Sequence, residues 1–77
     1  MSEPGTRVNV KTQNGGYVAS LEAQGDWGRV SFTRGVHPDL DVLQKDVEKA
    51  LTEYEGRGYD LAALRTEWKA ALADART

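Results

Sequence analysis

The sequence predicts an α+β domain in which a three-stranded antiparallel meander is followed by two helices packed on one face of the sheet (β-β-β-α-α). Three observations predict it. The pair Asn14-Gly15 suits a tight hairpin turn, the residues around it alternate between apolar and polar, and the second half repeats apolar residues at steps of three and four. The 77 residues have room for one core. We therefore expect a single domain, 1–77, with a flexible N-terminus at 1–6, the meander at 7–34 and a helical hairpin at 38–75.

The first hairpin is centred on Asn14-Gly15, because both central positions of a type I′ turn need a positive φ, which Gly adopts freely and Asn tolerates. This turn sets the register of the two strands. On one face the expected partners are Thr12 and Tyr17, Val10 and Ala19, and Val8 and Leu21. On the other they are Lys11 and Val18, Asn9 and Ser20, and Arg7 and Glu22. One face is apolar and the other is mostly polar, so the turn and the pattern agree.

A second turn, Gly25-Asp26-Trp27-Gly28, leads to a third strand near residues 29–34. A four-residue loop sets Ala23 opposite Val30 and Leu21 opposite Phe32, which extends the apolar face across all three strands. A meander with such a face bare is not stable in water, so the rest of the chain must cover it.

The first covering helix follows Pro38 and the acidic residues Asp39 and Asp41, which suit a helix N-terminus. Its apolar stripe consists of Leu40, Leu43, Val47, Leu51 and Tyr54. Gly56 marks the expected end of this helix.

The second helix starts with Asp60 as N-cap, and Tyr59 before it can pack on Leu64 as a hydrophobic staple. Its stripe consists of Leu61, Leu64, Trp68 and Leu72. The short link 56–58 implies a helical hairpin. In an alternative arrangement this helix projects away and buries the Trp68 stripe against another chain.

Composition and motifs argue against most catalytic and cofactor-binding classes. The chain has no cysteine and one histidine, which removes the usual zinc ligand sets, and neither GxGxxG nor GxxxxGK[ST] occurs. His37, before Pro38, is interpreted as a loop or capping residue, and the carboxylates of the first helix as a solvated face. We therefore expect no enzyme activity, no cofactor and no metal.

The charge and hydropathy patterns constrain location and partners. The net charge is −2, and residues 36–77 carry six basic against nine acidic groups. This acidity argues against broad electrostatic capture of nucleic acid. No apolar run approaches the ~18 residues of a membrane span, and the start MSEPGTR lacks the apolar stretch of a secretory signal. The expectation is no membrane association and a cytoplasmic location.

The features that remain are surfaces. The edge strands RVNVKT (7–12) and RVSFTR (29–34) could accept another strand, or their Arg and Lys could only protect those edges from aggregation. Trp27, at the tip of a turn, is either an interface anchor or folds back onto the core. The candidate partner-binding residues are Trp27, Asp26, Arg29, Arg34, Arg7, Lys11, Asp46 and Glu53.

The order of an NGG turn, the strand YVASLEA, a further turn and strand, and a helix ending in ALTEY resembles the N-terminal domain of HicB-type antitoxins over about half of the chain. The resemblance implies binding and masking of a small toxic ribonuclease. The chain departs from the family where EAQGDWG replaces a PxLPGC-like segment, where HPDL leads into a longer helix, and where residues 61–75 look helical instead of returning a strand. The 77 residues contain no ribbon-helix-helix or helix-turn-helix unit, which puts DNA autoregulation in doubt.

The leading hypothesis is a non-enzymatic protein-binding module, such as an inhibitor, an antitoxin-like protein or a phage or mobile-element protein that blocks a host system. A second hypothesis is nucleic-acid binding through the basic strand face, with Trp27 as a stacking residue. A third is a homo-oligomeric structural protein, dimerising through an edge strand or the last helix.

Overall fold

The computed structural model describes residues 5–76 as three antiparallel strands in one sheet followed by two helices. This confirms the predicted β-β-β-α-α fold. The elements are β1 (Gly5–Gln13), β2 (Gly16–Gly25), β3 (Gly28–His37), α1 (Leu40–Gly56) and α2 (Ala62–Arg76). The predicted flexible N-terminus falls partly on residues 1–4, outside the described residues, while residues 5 and 6 already belong to β1.

The turn between β1 and β2 has the geometry that the sequence predicts. Asn14 and Gly15 adopt φ angles of 53° and 80°, as a type I′ turn requires. Every predicted pair of the first hairpin is present, from Thr12 opposite Tyr17 to Arg7 opposite Glu22. The pattern and the turn residues therefore determine the register together.

The second turn is tighter than predicted. Gly25 pairs with Gly28, so Asp26 and Trp27 form a two-residue turn and the flanking glycines belong to the strands. The register is unchanged, because Ala23 still lies opposite Val30.

β3 continues beyond its predicted end, through an irregularity. Arg34 pairs with Ala19, whereas the next paired residue, His37, lies opposite Tyr17, so β3 contains one extra residue here. Gly35 allows the close approach, since a Cβ at this position would lie 2.8 Å from the carbonyl oxygen of Tyr17. Because of the extra residue, the side-chain alternation changes after Arg34, so Val36 faces outward and His37 faces the helices.

Both helices cover the same face of the sheet, α2 over β1 and α1 over β3. The core consists of the inward residues of β2 and the apolar stripes of the helices, namely Ala19, Leu21, Ala23, Leu40, Leu43, Val47, Leu51, Leu61, Leu64, Trp68 and Leu72. Trp68 is only 2% exposed. Its stripe is therefore buried within this chain, and the arrangement with a projecting last helix is not adopted.

The link between the helices is a Schellman motif. The Gly58 amide donates to the carbonyl of Glu55 at 3.0 Å, and the Tyr59 amide donates to that of Tyr54 at 3.4 Å. The rings of Tyr54 and Tyr59 also meet, with 6.0 Å between centroids. α1 ends at Gly56, as the sequence predicts, but the residue of the cap that has a positive φ is Gly58, at 104°.

The two helices are capped and cross-linked by polar contacts. The side chains of Asp39 and Asp60 accept hydrogen bonds from the amides of Asp41 and Ala62. From α2, Arg65 donates to Glu55 through Nε at 2.9 Å and Nη2 at 2.7 Å. The hydrogen bond to Glu55 raises the pKa of Arg65 above its ordinary value. At the opposite end of the helix pair, Arg76 donates to Asp41 and Gln44.

Candidate functional site

The outer sheet face is a surface that no described helix covers. Because the helices pack on the opposite face, the residues that alternate outward along the strands are covered by neither helix. The outer sheet face consists of Arg7, Asn9, Lys11, Val18, Ser20, Glu22, Gln24, Arg29, Ser31, Thr33 and Val36. The hydroxyls of Ser20 and Thr33 lie 3.2 Å apart and tie the second strand to the third. This face is mostly polar and rich in hydrogen-bonding groups.

The outer sheet face carries a net positive charge. Arg7 lies opposite Glu22 in the register, and Arg29 forms an ion pair with the same carboxylate. Lys11 is exposed further along β1. Three cations and one carboxylate leave a charge of about +2 on this face, although the whole chain is acidic.

A small apolar area, the valine patch, interrupts the polar surface beside the bulge of β3. It consists of Val18, which is 6% exposed, and Val36, which is 45% exposed. The side chain of Val36 lies against Gly16, and a Cβ at residue 16 would also come within 2.8 Å of the carbonyl oxygen of His37. The second glycine of the NGG turn is thus needed for space, whereas the first is needed for its φ.

Trp27 lies on the helical side of the sheet rather than projecting from the turn. Its ring is partly buried against the core and meets the ring of Tyr59 edge-on, with 5.2 Å between centroids. The neighbouring rings of Phe32 and Tyr54 stack at 5.5 Å. Of the two orientations that the sequence allowed for Trp27, the structure shows the one in which the side chain packs on the core. In this two-residue turn, Asp26 is the exposed residue.

Arg34 also lies away from the outer sheet face. It pairs with Ala19 on the inward face, and its guanidinium carbon is 5.9 Å from the centroid of the Phe32 ring. Its Nε is buried without a hydrogen-bond partner among the described residues. The structure therefore places three of the predicted cations, Arg7, Lys11 and Arg29, on the outer sheet face, with Lys11 towards the opposite end from Arg29, and places Arg34 and Trp27 on the other face.

The two predicted acidic residues of α1 differ in their surroundings. Asp46 contacts His37 at hydrogen-bond distance, with 2.8 Å between Oδ2 of Asp46 and Nε2 of His37. This contact joins the end of β3 to α1, so His37 is a structural link. Glu53 is exposed on the outward side of α1, together with Lys45 and Lys49.

Sequence reasoning missed the valine patch and the His37–Asp46 contact. Val36 lies outside the predicted third strand, and the alternation that would place it changes at the bulge. Nothing in the sequence marks the bulge except Gly35.

Residues 5–76 bring no three His, Cys, Asp or Glu side chains together in an arrangement that could hold a metal ion. Within the same part of the chain, neither helix is long and apolar enough to cross a membrane.

Comparison of the chain with models of known protein families, with curated proteins and with solved structures found no match. The resemblance to HicB-type antitoxins therefore stays a prediction from the sequence.

Proposed function

We propose that this chain is a non-enzymatic protein-binding module that docks an acidic surface of another protein on its outer sheet face. The observation that supports this most is Val36 of the valine patch, an apolar side chain that is 45% exposed beside a polar face of net positive charge. The valine patch lies at the Lys11 end of this face, and apolar side chains bordered by polar residues are common in specific interfaces.

The charge of the face favours an acidic partner. Arg7 and Lys11 are exposed along β1, and Arg29 neutralises Glu22, the one carboxylate of the face, by an ion pair. Rim charges of this kind accelerate association and set its salt dependence more than they set affinity. We expect an inhibitory or masking role in the cytoplasm, the role that the sequence favours.

A protein partner fits this face better than nucleic acid. Stacking of bases on an aromatic side chain is a main source of affinity in single-strand binding. Trp27 and Arg34 lie on the helical side, so the outer sheet face offers neither a ring nor a fourth cation. Three cations, one of which is paired with Glu22, would release few counterions from nucleic acid and so contribute little to its affinity.

The experiment captures the partner from an extract of the source organism with three immobilised forms of the chain. The wild type is compared with Lys11→Glu/Val36→Ser, which alters the outer sheet face. The matched control is Val42→Ser/Lys45→Glu on α1, because Val42 is also 45% exposed and the change in charge is the same. Circular dichroism and urea unfolding check that all three forms are folded.

The proposal predicts that the wild type and the α1 control retain the same protein in a stoichiometric amount, and that the outer-face variant loses it. Equal retention by all three forms, or equal loss from both variants, contradicts it. Retention of nuclease-sensitive material with a steep salt dependence would establish the nucleic-acid function instead. A self-associated chain that captures nothing, detected by light scattering, would establish the homo-oligomeric function.

A further inference from the structure

A cleft of about 460 Å³ lies between the turn that joins β2 to β3 and the start of α2. Trp27 forms one wall, and Ala62 and Ala63 of α2 form another. The carboxyl groups of Asp26 and Asp60 contribute to its lining. Its volume falls in the range of pockets that enclose a side chain or a small ligand.

The charged side chains of the lining are both carboxylates, set against aromatic and apolar surface, and Asp60 offsets part of the positive end of the α2 dipole at Ala62. Among the described residues that line the cleft, Asp26 and Asp60 are the charged ones, and none is a cation. Asp60 uses one carboxyl oxygen to accept a hydrogen bond from the Ala62 amide at 3.3 Å, which orients the group at the helix start. Trp27 is held by Tyr59, so the indole wall is fixed in place.

We infer that this Trp27 cleft binds an arginine side chain of a protein partner. A guanidinium is planar, stacks on an indole face and donates paired hydrogen bonds to carboxylates, whereas an ammonium is a compact point charge that does neither as well. Charge complementarity selects a cation, and the aromatic wall selects arginine over lysine.

Of the outward-facing strand residues only Gln24 lines the cleft, and this inference does not rest on the function proposed above. It assigns a second interaction site of opposite charge, built on the turn of the sheet and the start of α2. A partner with a basic loop would fit this site.

The first experiment follows the two indole N–H signals by nuclear magnetic resonance while a peptide, acetyl-Gly-Arg-Gly-amide, is added. Trp68 is an internal control, because it is 2% exposed and its Nε1 has no hydrogen-bond partner among the described residues. The Trp27 signal should shift in a saturable way with a dissociation constant on the order of 1 mM, while the Trp68 signal should stay in place.

Two further peptides test whether binding needs the positive charge and whether it needs the guanidinium group. The lysine analogue should bind at least about threefold more weakly, and the uncharged citrulline analogue should give no saturable shift. Equal shifts with the citrulline peptide, or no saturable shift with the arginine peptide, overturn the inference. This series uses only the wild-type chain.

The second experiment removes the negative charge while keeping the fold. Asp26→Asn/Asp60→Asn neutralises the cleft, and Asn at residue 60 retains the ability to cap the helix. The control, Glu53→Gln/Glu67→Gln, makes the same change in net charge at exposed carboxylates outside the cleft. The cleft variant should bind the arginine peptide at least about tenfold more weakly, and the control should bind it as the wild type does. Equal weakening in both would mean general charge attraction and would overturn the inference.

Discussion

The ring of Trp27 meets the ring of Tyr59 edge-on at 5.2 Å between centroids, and this contact joins the second turn of the sheet to the link between the helices. Edge-to-face pairs of this kind stabilise by about 0.5–1.5 kcal/mol beyond the area they bury. A turn residue therefore contributes to the stability of the whole domain.

Trp27→Ala should accordingly lower the free energy of unfolding by about 2 kcal/mol, roughly half of the loss for a fully buried tryptophan. Urea unfolding measures this, and Asp26→Ala at the neighbouring exposed position should change it by less than about 0.5 kcal/mol. A loss below about 0.5 kcal/mol for Trp27→Ala would show that the ring does not pack on the core.

Gly15→Val should destabilise the first hairpin by about 2 kcal/mol, because residue 15 has a φ of 80° and β-branched side chains tolerate that region poorly. Gly15→Asn, which changes the same position to a residue that tolerates positive φ, should cost less than about 1 kcal/mol. Thermal and urea unfolding compare the two. Equal stability of the valine variant and the wild type would contradict the type I′ turn.

The two glycines of the interhelical link should respond in opposite directions. Gly58→Ala should destabilise the domain by about 1 kcal/mol, since residue 58 has a φ of 104°. Gly56→Ala should leave stability unchanged or raise it by up to about 1 kcal/mol, because residue 56 is helical. A Cβ at either position meets no atom within 4 Å, so neither alanine creates a steric clash. The difference in unfolding free energy between the two variants therefore reports the backbone conformation at the two positions. The reverse order would place the positive-φ residue of the link at Gly56 and contradict this geometry.

Arg65→Met should reduce the free energy of unfolding by about 1 kcal/mol, because it removes the hydrogen bonds to Glu55 and Thr52 that join the helices. Lys69→Met on the exposed side of the same helix is the control, with an expected change below about 0.5 kcal/mol. High salt should narrow the difference between the variants, since both partners are about one-third exposed.

The pH dependence of the Arg65 contribution follows from the direction of its pKa shift. The pKa of Arg65 is raised in the folded state by its hydrogen bond to Glu55, so its contribution is complete below the unfolded pKa and is lost only as pH rises through the folded one. The stability difference between wild type and Arg65→Met, measured from roughly pH 7 to 9, should therefore be constant. A decline over that range would contradict the assignment.

The strand register, the helix stripes and the caps could be predicted from the sequence because each depends on local pattern. Asn14-Gly15 determines the turn, and the alternation around Val8 and Val10 must match it if one face is to be buried. The periodicity around Trp68 predicts its burial for the same reason.

The candidate site could be predicted only in part, because it depends on contacts between distant segments. The direction of Trp27 depends on Tyr59, and the contact between His37 and Asp46 depends on how α1 packs beside β3. Val36 reaches the outer sheet face only because β3 contains an extra residue. Composition and periodicity carry no signal for any of these relationships.

The central claim is that the outer sheet face docks a protein partner, and the most direct test is the dissociation constant of the captured partner for two matched variants. Lys11→Glu/Val36→Ser should raise that constant at least about tenfold over the wild type, a loss of about 1.4 kcal/mol, whereas Val42→Ser/Lys45→Glu should leave it within about twofold. Isothermal titration or surface binding measures both. Equal constants for the two variants, or a larger loss for the α1 variant, would contradict the claim.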